Sequence, residues 1–148
     1  MRRATAADVP AIVAMLADDP LGANREDPDD LTQYLDAFAR IEGSTDQHLI
    51  VAERPERPGH LVGTLQLAIL PGLSRRGSSR ALIEAVRVHA AERGAGLGSE
   101  LIRWAVEESR RHGCALVQLT SDATRIDAHR FYERLGFRAT HVGFKLML

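Results

Sequence analysis

The chain has almost no lysine and almost no cysteine. Among its 148 residues, Lys145 is the single lysine and Cys114 the single cysteine. One cysteine excludes an internal disulfide and a thiolate-built metal site. One lysine, lying near the C-terminus, excludes a nucleotide P-loop, which needs Gly-Lys-Ser/Thr after its glycines. The six histidines show no metal-ligand spacing, so no metal is expected. No apolar run reaches the length of a membrane span, and no hydrophobic leader opens the chain. The expectation is a cytoplasmic protein without a membrane partner. A formal net charge of −1, with arginines scattered among acids, gives no polyanion-binding face, so no nucleic-acid partner is expected. The length suits a single domain, residues 1–148, with a real core.

What is present is concentrated in Val86–Ser99. A β-branched strand ends there, and Arg93, Gly94, Ala95, Gly96, Leu97 and Gly98 lead directly into an amphipathic helix. Glycines at such a turn let backbone approach a ligand, and the first N–H groups of the helix point at whatever sits there. That arrangement suits an anion, above all a pyrophosphate. The Gly-x-Gly-x-Gly spacing does not fit the dinucleotide fingerprint, which needs Gly-x-Gly-x-x-Gly early in a βαβ unit. An ordinary glycine-rich strand-to-helix turn remains open at this point.

Periodicity organises the rest. A short strand is predicted over Met1–Ala4. A helix capped by Asp8 carries Val9, Ile12, Val13 and Leu16 on one face. A polar, turn-rich stretch follows over Asp18–Glu26. A second helix is expected from Asp27-Pro28, with Leu31, Leu35 and Phe38 inward. His48–Glu53 and Leu61–Leu70 form a hairpin. Leu70–Arg80 is a loop, Leu82–Val88 a strand, Leu97–His112 the longest helix (ended by Gly113), and Leu116–Thr120 another strand. A helix opens at Asp127, and two closing strands are expected in Phe137–Leu148.

Two motifs together carry a resemblance. Arg93, Gly96 and Gly98 match the Arg/Gln-x-x-Gly-x-Gly/Ala loop of the GNAT superfamily of acetyl-CoA-dependent N-acetyltransferases. Asp127-Ala128-His129-Arg130-Phe131-Tyr132-Glu133-Arg134-Leu135-Gly136-Phe137 resembles that superfamily's second motif, Asn-x-x-Ala-x-x-Phe-Tyr-x-x-x-Gly-Phe. The resemblance covers about the last two-thirds of the chain. Arg125–Tyr132 is also similar to the matching run of aminoalkylphosphonate N-acetyltransferases.

The resemblance implies an α/β (α+β) GNAT-type fold. Its central sheet is mixed, mostly antiparallel, splayed between strands 4 and 5 and flanked by about four helices. It implies acetyl-CoA as acyl donor, coenzyme A as product and a small-molecule amine as acceptor, with direct transfer in a ternary complex. Backbone groups of Val86, Arg87 and Val88 would pair with the pantetheine arm, and Arg93–Ser99 would hold the pyrophosphate. Asp127 would touch the pantetheine arm or simply cap its helix. Tyr132 would assist the departing thiolate. An alkyl ammonium has a pKa of about 10.4, so roughly one molecule in a thousand is nucleophilic at neutral pH, and a base helps. Glu84 is the candidate by strand parity with Val86 and Val88; a solvated or Arg-paired Glu is the alternative. Arg75, Arg76 and Arg80 either grip an anionic group of the acceptor or pair with acids of Asp27–Asp36. A non-catalytic acyl-CoA-binding regulatory module and a peptide-amine acetyltransferase are the rival functions. A homodimer is left open.

Overall fold

Five strands lie in the order β1-β2-β3-β4-β5 in a computed structural model that describes residues 1–18 and 25–148. The strands are β1 (Arg2–Arg3), β2 (Gln47–Glu53), β3 (Leu61–Leu70), β4 (Arg80–Val88) and β5 (Leu116–Leu119). β1 to β4 pair antiparallel. β5 runs parallel to β4, and the Ala115 N–H donates to the Ser79 carbonyl at 2.9 Å where the two strands begin. Among the described residues, five α-helical segments accompany the sheet: α1 (Val9–Ala17), α2 (Thr32–Glu42), the single turn α3 (Ser74–Gly77), α4 (Leu97–Arg111) and α5 (Ile126–Arg134). The sheet is mixed and open. The chain forms two compact units, Met1–Gln118 and Leu119–Leu148.

The first unit holds the core. β3 is central, and Leu65 and Leu67, two residues apart on one face of the sheet, are fully buried. Leu97, Leu101, Ile102 and Ala105 repeat at helical spacing and bury the inner face of α4. Val9, Ile12 and Val13 of α1 are buried as their spacing requires, with Met15 added and Leu16 half-buried.

Several boundaries differ from expectation. α2 begins at Thr32, not Asp27, because the acids before it fold into local turns. Asp27 accepts the Asp29 N–H at 3.1 Å and Asp30 accepts the Thr32 N–H at 3.0 Å. The later start leaves Leu35 exposed, while Phe38 is buried against Val9 and Val13. Asp8 holds the N-cap position of α1, but its carboxylate does not cap that helix. It turns back to accept the Thr5 N–H at 2.7 Å and two Arg2 N–H groups at 2.6 and 2.9 Å. Most of the predicted Asp18–Glu26 turn region lies outside the described residues. In the second unit, the two strands expected in Phe137–Leu148 are not formed. Val142, Phe144, Leu146 and Leu148 alternate as strand residues do, yet they are exposed and no ladder partner pairs with them among the described residues.

Candidate active site

β4 feeds the glycine loop, and it is interrupted on the way. Glu84 pairs with Gln66 and Arg87 with Thr64, so three residues on β4 span the space of two on β3. The extra residue is a bulge at Ala85, which takes a left-handed φ of 51°. The bulge corrects the parity expectation: side-chain alternation shifts at Ala85, and Glu84 shares its sheet face with Arg87, not with Val86 and Val88. Ala85 and Val86 have no register partner on β3. The Arg87 guanidinium donates to the Val86 carbonyl at 2.9 Å, and the Val88 carbonyl accepts from Arg93 at 3.2 Å.

The loop itself is pinned from both sides. Arg54 donates to the Glu92 carboxylate at 3.2 Å, and this holds the Glu92 pKa below its usual range. Arg93 donates to the Asp18 carboxylate at 3.0 Å, so its guanidinium ties the loop to the end of α1. Gly94 and Gly96 follow with φ of 83° and 88°. Gly96 is the N-cap of α4, and its left-handed backbone turns the chain so that the amides of Leu97, Gly98 and Ser99 open the helix. The Leu97 and Gly98 amides have no partner four residues back and face outward with the positive end of the helix dipole, while the Ser99 N–H donates to the Gly96 carbonyl at 3.0 Å. An added Cβ at Gly94 or Gly96 would meet nothing within 4 Å, so the surface above the loop is open. A pyrophosphate fits such a turn.

On the α2 side of the sheet lies an open cleft of about 500 Å³. α2 contributes Ala37, Arg40 and Ile41, one helical face at i, i+3 and i+4. The sheet contributes Gln47, then Gln66, Ala68 and Leu70 of β3, then Leu82 and Glu84 of β4. Gln66 donates to Gln47 at 3.0 Å. Leu70 pairs in register with Arg80, Ala68 with Leu82 and Gln66 with Glu84. Arg80 therefore stands on the last rung of the cleft, opposite Leu70, on the same face as Glu84 and half-buried, though it is not itself among the lining residues. Arg75 and Arg76 are exposed on α3, both with left-handed φ (54° and 61°), and neither lines the cleft. None of the three forms the pairing with Asp27–Asp36 weighed above; no ion pair joins them to a described residue.

The second unit carries the other motif. Gly136, with φ of 91°, ends α5. The Phe137 N–H donates to the Tyr132 carbonyl at 3.1 Å and the Gly136 N–H to the Glu133 carbonyl at 2.9 Å, the paired bonds of a Schellman cap. The Tyr132 ring lies 5.1 Å from that of Phe131 and 6.0 Å from that of Phe137. Asp127 is not the cap: Arg125 holds that position, and the Asp127 carboxylate is fully exposed in the first turn.

Residues 10–137 match the model of the acetyltransferase (GNAT) family. The chain belongs to the GNAT acetyltransferase family. Among curated proteins it is 46% identical over 52 residues to an aminoalkylphosphonate N-acetyltransferase of Salmonella typhimurium, covering 35% of this chain and 34% of that protein. It is 44% identical over 81 residues to a glucosamine 6-phosphate N-acetyltransferase of Trypanosoma brucei brucei, covering 55% of this chain and 53% of that one. The chain thus spans about a third and about half the length of these relatives. Among solved structures it resembles one described as a transcriptional regulator from Bacillus halodurans C-125, at 46% identity and a TM-score of 0.94 over 99% of this chain and 97% of that one. It also resembles an acetyltransferase of Trypanosoma brucei, at 32% identity and a TM-score of 0.76 over 99% and 97%.

As a GNAT domain, the protein has three candidate site elements within its first unit: the β4 bulge, the amide-rich loop and the cleft bearing Glu84. Tyr132 and Asp127 belong to the second unit. Arg40, Gln47 and Gln66 were missed from sequence. Ala37, Arg40 and Ile41 do share one helical face in the sequence, but only the sheet opposite them makes that face a cleft. Among the described residues no group of three or more His, Cys, Asp or Glu side chains could hold a metal ion. No helix is long and apolar enough to cross a membrane.

Proposed function

We propose that the protein transfers the acetyl group of acetyl-CoA to the primary amine of a small molecule that also carries an anionic group. The observation that carries this reading is a carboxylate, Glu84, facing an open cleft on the strand that leads into the amide-rich loop. Bound there, acetyl-CoA supplies an acetyl thioester, its pyrophosphate on the amides of Leu97 and Gly98 in the Arg93–Ser99 loop and its pantetheine arm along Val86–Val88. Glu84 draws the substrate ammonium into the cleft and takes its proton, directly or through one water. The neutral nitrogen attacks the thioester carbon; a C–N bond forms and the C–S bond breaks. The electron pair leaves with sulfur, the attacking nitrogen sheds its second proton to that thiolate, and the Tyr132 hydroxyl hydrogen-bonds the thiolate or relays the proton to it. Asp127 borders the pantetheine arm.

Direct transfer in a ternary complex fits Cys114. Its thiol is half-buried, burial pushes its pKa up, and it precedes β5 at the end where that strand begins. Such a thiol is a poor nucleophile at neutral pH. An anionic acceptor fits Arg80, in register with the cleft residue Leu70, and the exposed Arg75 and Arg76 of α3; none of the three holds a described acid. The names of the two curated relatives, with a phosphonate and a phosphate in their substrates, point the same way. The regulator name attached to one solved relative keeps a binding-only module as the rival. Retention of both Glu84 and Tyr132 favours the enzyme.

Thiol release from acetyl-CoA across a panel of amines, beside a coenzyme A titration, tests this. Amine-dependent release, fastest on amines that bear phosphate, phosphonate or carboxylate, is expected. Tight coenzyme A binding with no release on any amine or peptide would establish the binding module instead.

A further inference from the structure

The α2 cleft has a polarity that the loop arginines do not explain. Among the described residues its lining holds two charged side chains, Arg40 and Glu84. The other lining side chains are apolar, apart from Gln47 and Gln66, which hydrogen-bond to each other. Opposite charges sharing one cleft would normally pair. These do not: no ion pair joins Arg40 to Glu84, and neither forms a side-chain hydrogen bond or ion pair with another described residue. The cleft therefore presents a guanidinium on the α2 wall and a carboxylate on the β4 wall, both unspent. At about 500 Å³ it has the volume of a small-molecule site.

We propose that Arg40 is the specificity-determining anion receptor of this cleft, and that the acceptor is a short zwitterion whose ammonium meets Glu84 while its phosphonate, phosphate or carboxylate meets Arg40. The assignment rests on the acetyltransferase reading above and goes further, by naming the receptor and the span. It moves the principal anion contact from Arg75 and Arg76, outside the lining, to a residue inside it. Arg80, in register with Leu70 at the end of the cleft, is then the second cation met by a longer substrate. β-strand rise puts its Cα about 13 Å from that of Glu84, so a short amino-anion contacts Arg40 and a larger amino-sugar phosphate extends toward Arg80. A guanidinium suits this task because its N–H groups bind a tetrahedral or planar anion in pairs. The apolar lining of Ile41, Leu70 and Leu82 gives no purchase to a second charge between the ends.

The test compares R40A, R40K and an R75A/R76A double variant with the unaltered protein, using 2-aminoethylphosphonate and n-propylamine as acceptors. Ala is the best helix former and position 40 is exposed, so R40A keeps α2. The readout is the ratio of kcat/KM on the phosphonate to that on propylamine. R40A is expected to lower it about 10- to 100-fold, the worth of a charge-assisted hydrogen-bond pair, chiefly through KM; R40K should restore part of it. Inorganic phosphate should compete with the amine in the unaltered protein and lose that competition in R40A. An unchanged ratio and unchanged phosphate inhibition in R40A would overturn the assignment. So would a loss confined to R75A/R76A, which would leave the anionic-amine reading standing. Failure of the unaltered protein to acetylate either amine would strike the proposed function itself.

Discussion

Gly96 offers the sharpest perturbation of the cofactor loop, because the structure separates space from backbone there. Its φ is 88° and its ψ −8°, and an added Cβ would meet nothing within 4 Å. A valine side chain is therefore not excluded by a neighbour; the penalty lies in the backbone. A left-handed conformation costs an L-residue about 1–2 kcal/mol, and a β-branched one stands at the upper end. The loop of G96V is expected to relax by rotating that residue toward negative φ, which turns the Leu97 and Gly98 amides away from the pyrophosphate position. Binding must then restore the left-handed turn, so the strain appears in the dissociation constant. At 1.4 kcal/mol per tenfold, the loss is about 5- to 30-fold. Calorimetric titration with coenzyme A measures it, against an expected micromolar affinity (about −8 kcal/mol) for the unaltered protein. Circular dichroism confirms the fold. A folded G96V protein that binds coenzyme A as tightly as the unaltered one would remove this loop from the cofactor site.

Tyr132→Phe keeps the ring contacts with Phe131 and Phe137 and removes only the hydroxyl; turnover should fall on the order of 10²-fold with coenzyme A affinity nearly unchanged. Unaltered turnover would make Tyr132 a packing residue. Asp8 gives a pH signature: Arg2 and the Thr5 amide and hydroxyl hold its carboxyl down to about 2. Because the folded pKa lies below the unfolded one, the contribution is complete above about pH 4 and is lost as pH falls toward 2. It is worth about 2 kcal/mol. Denaturant unfolding of D8N should lack that acid-limb loss, and identical acid limbs in both proteins would refute the pairing.

Elements with strong local signals were legible in the sequence. β3 spans Leu61–Leu70 as its apolar run with flanking Gly and Pro implies, and α4 starts at Leu97 because glycine takes the left-handed turn before it without strain. Gly136 ends α5 for the same reason. Non-local features were not legible. Nothing about alanine announces the bulge at Ala85; pairing with β3 sets it, and with it the direction of Glu84. Arg40 looks like any exposed helical arginine until the sheet is placed opposite. The alternation over Val142–Leu148 is a genuine strand pattern, but a strand needs a neighbour, and periodicity does not supply one.

The central claim is that Glu84 and the amide-rich loop act on one reaction, acetyl transfer to nitrogen. The most direct measurement incubates the protein with isotopically labelled acetyl-CoA and 2-aminoethylphosphonate and follows the label by mass spectrometry, with E84Q beside it. The account predicts labelled N-acetylated phosphonate and free coenzyme A in equal amounts, with E84Q much slower at neutral pH and recovering as pH rises toward the amine pKa. Label that stays on coenzyme A, or product formed by E84Q at the unaltered rate across that pH range, would contradict it.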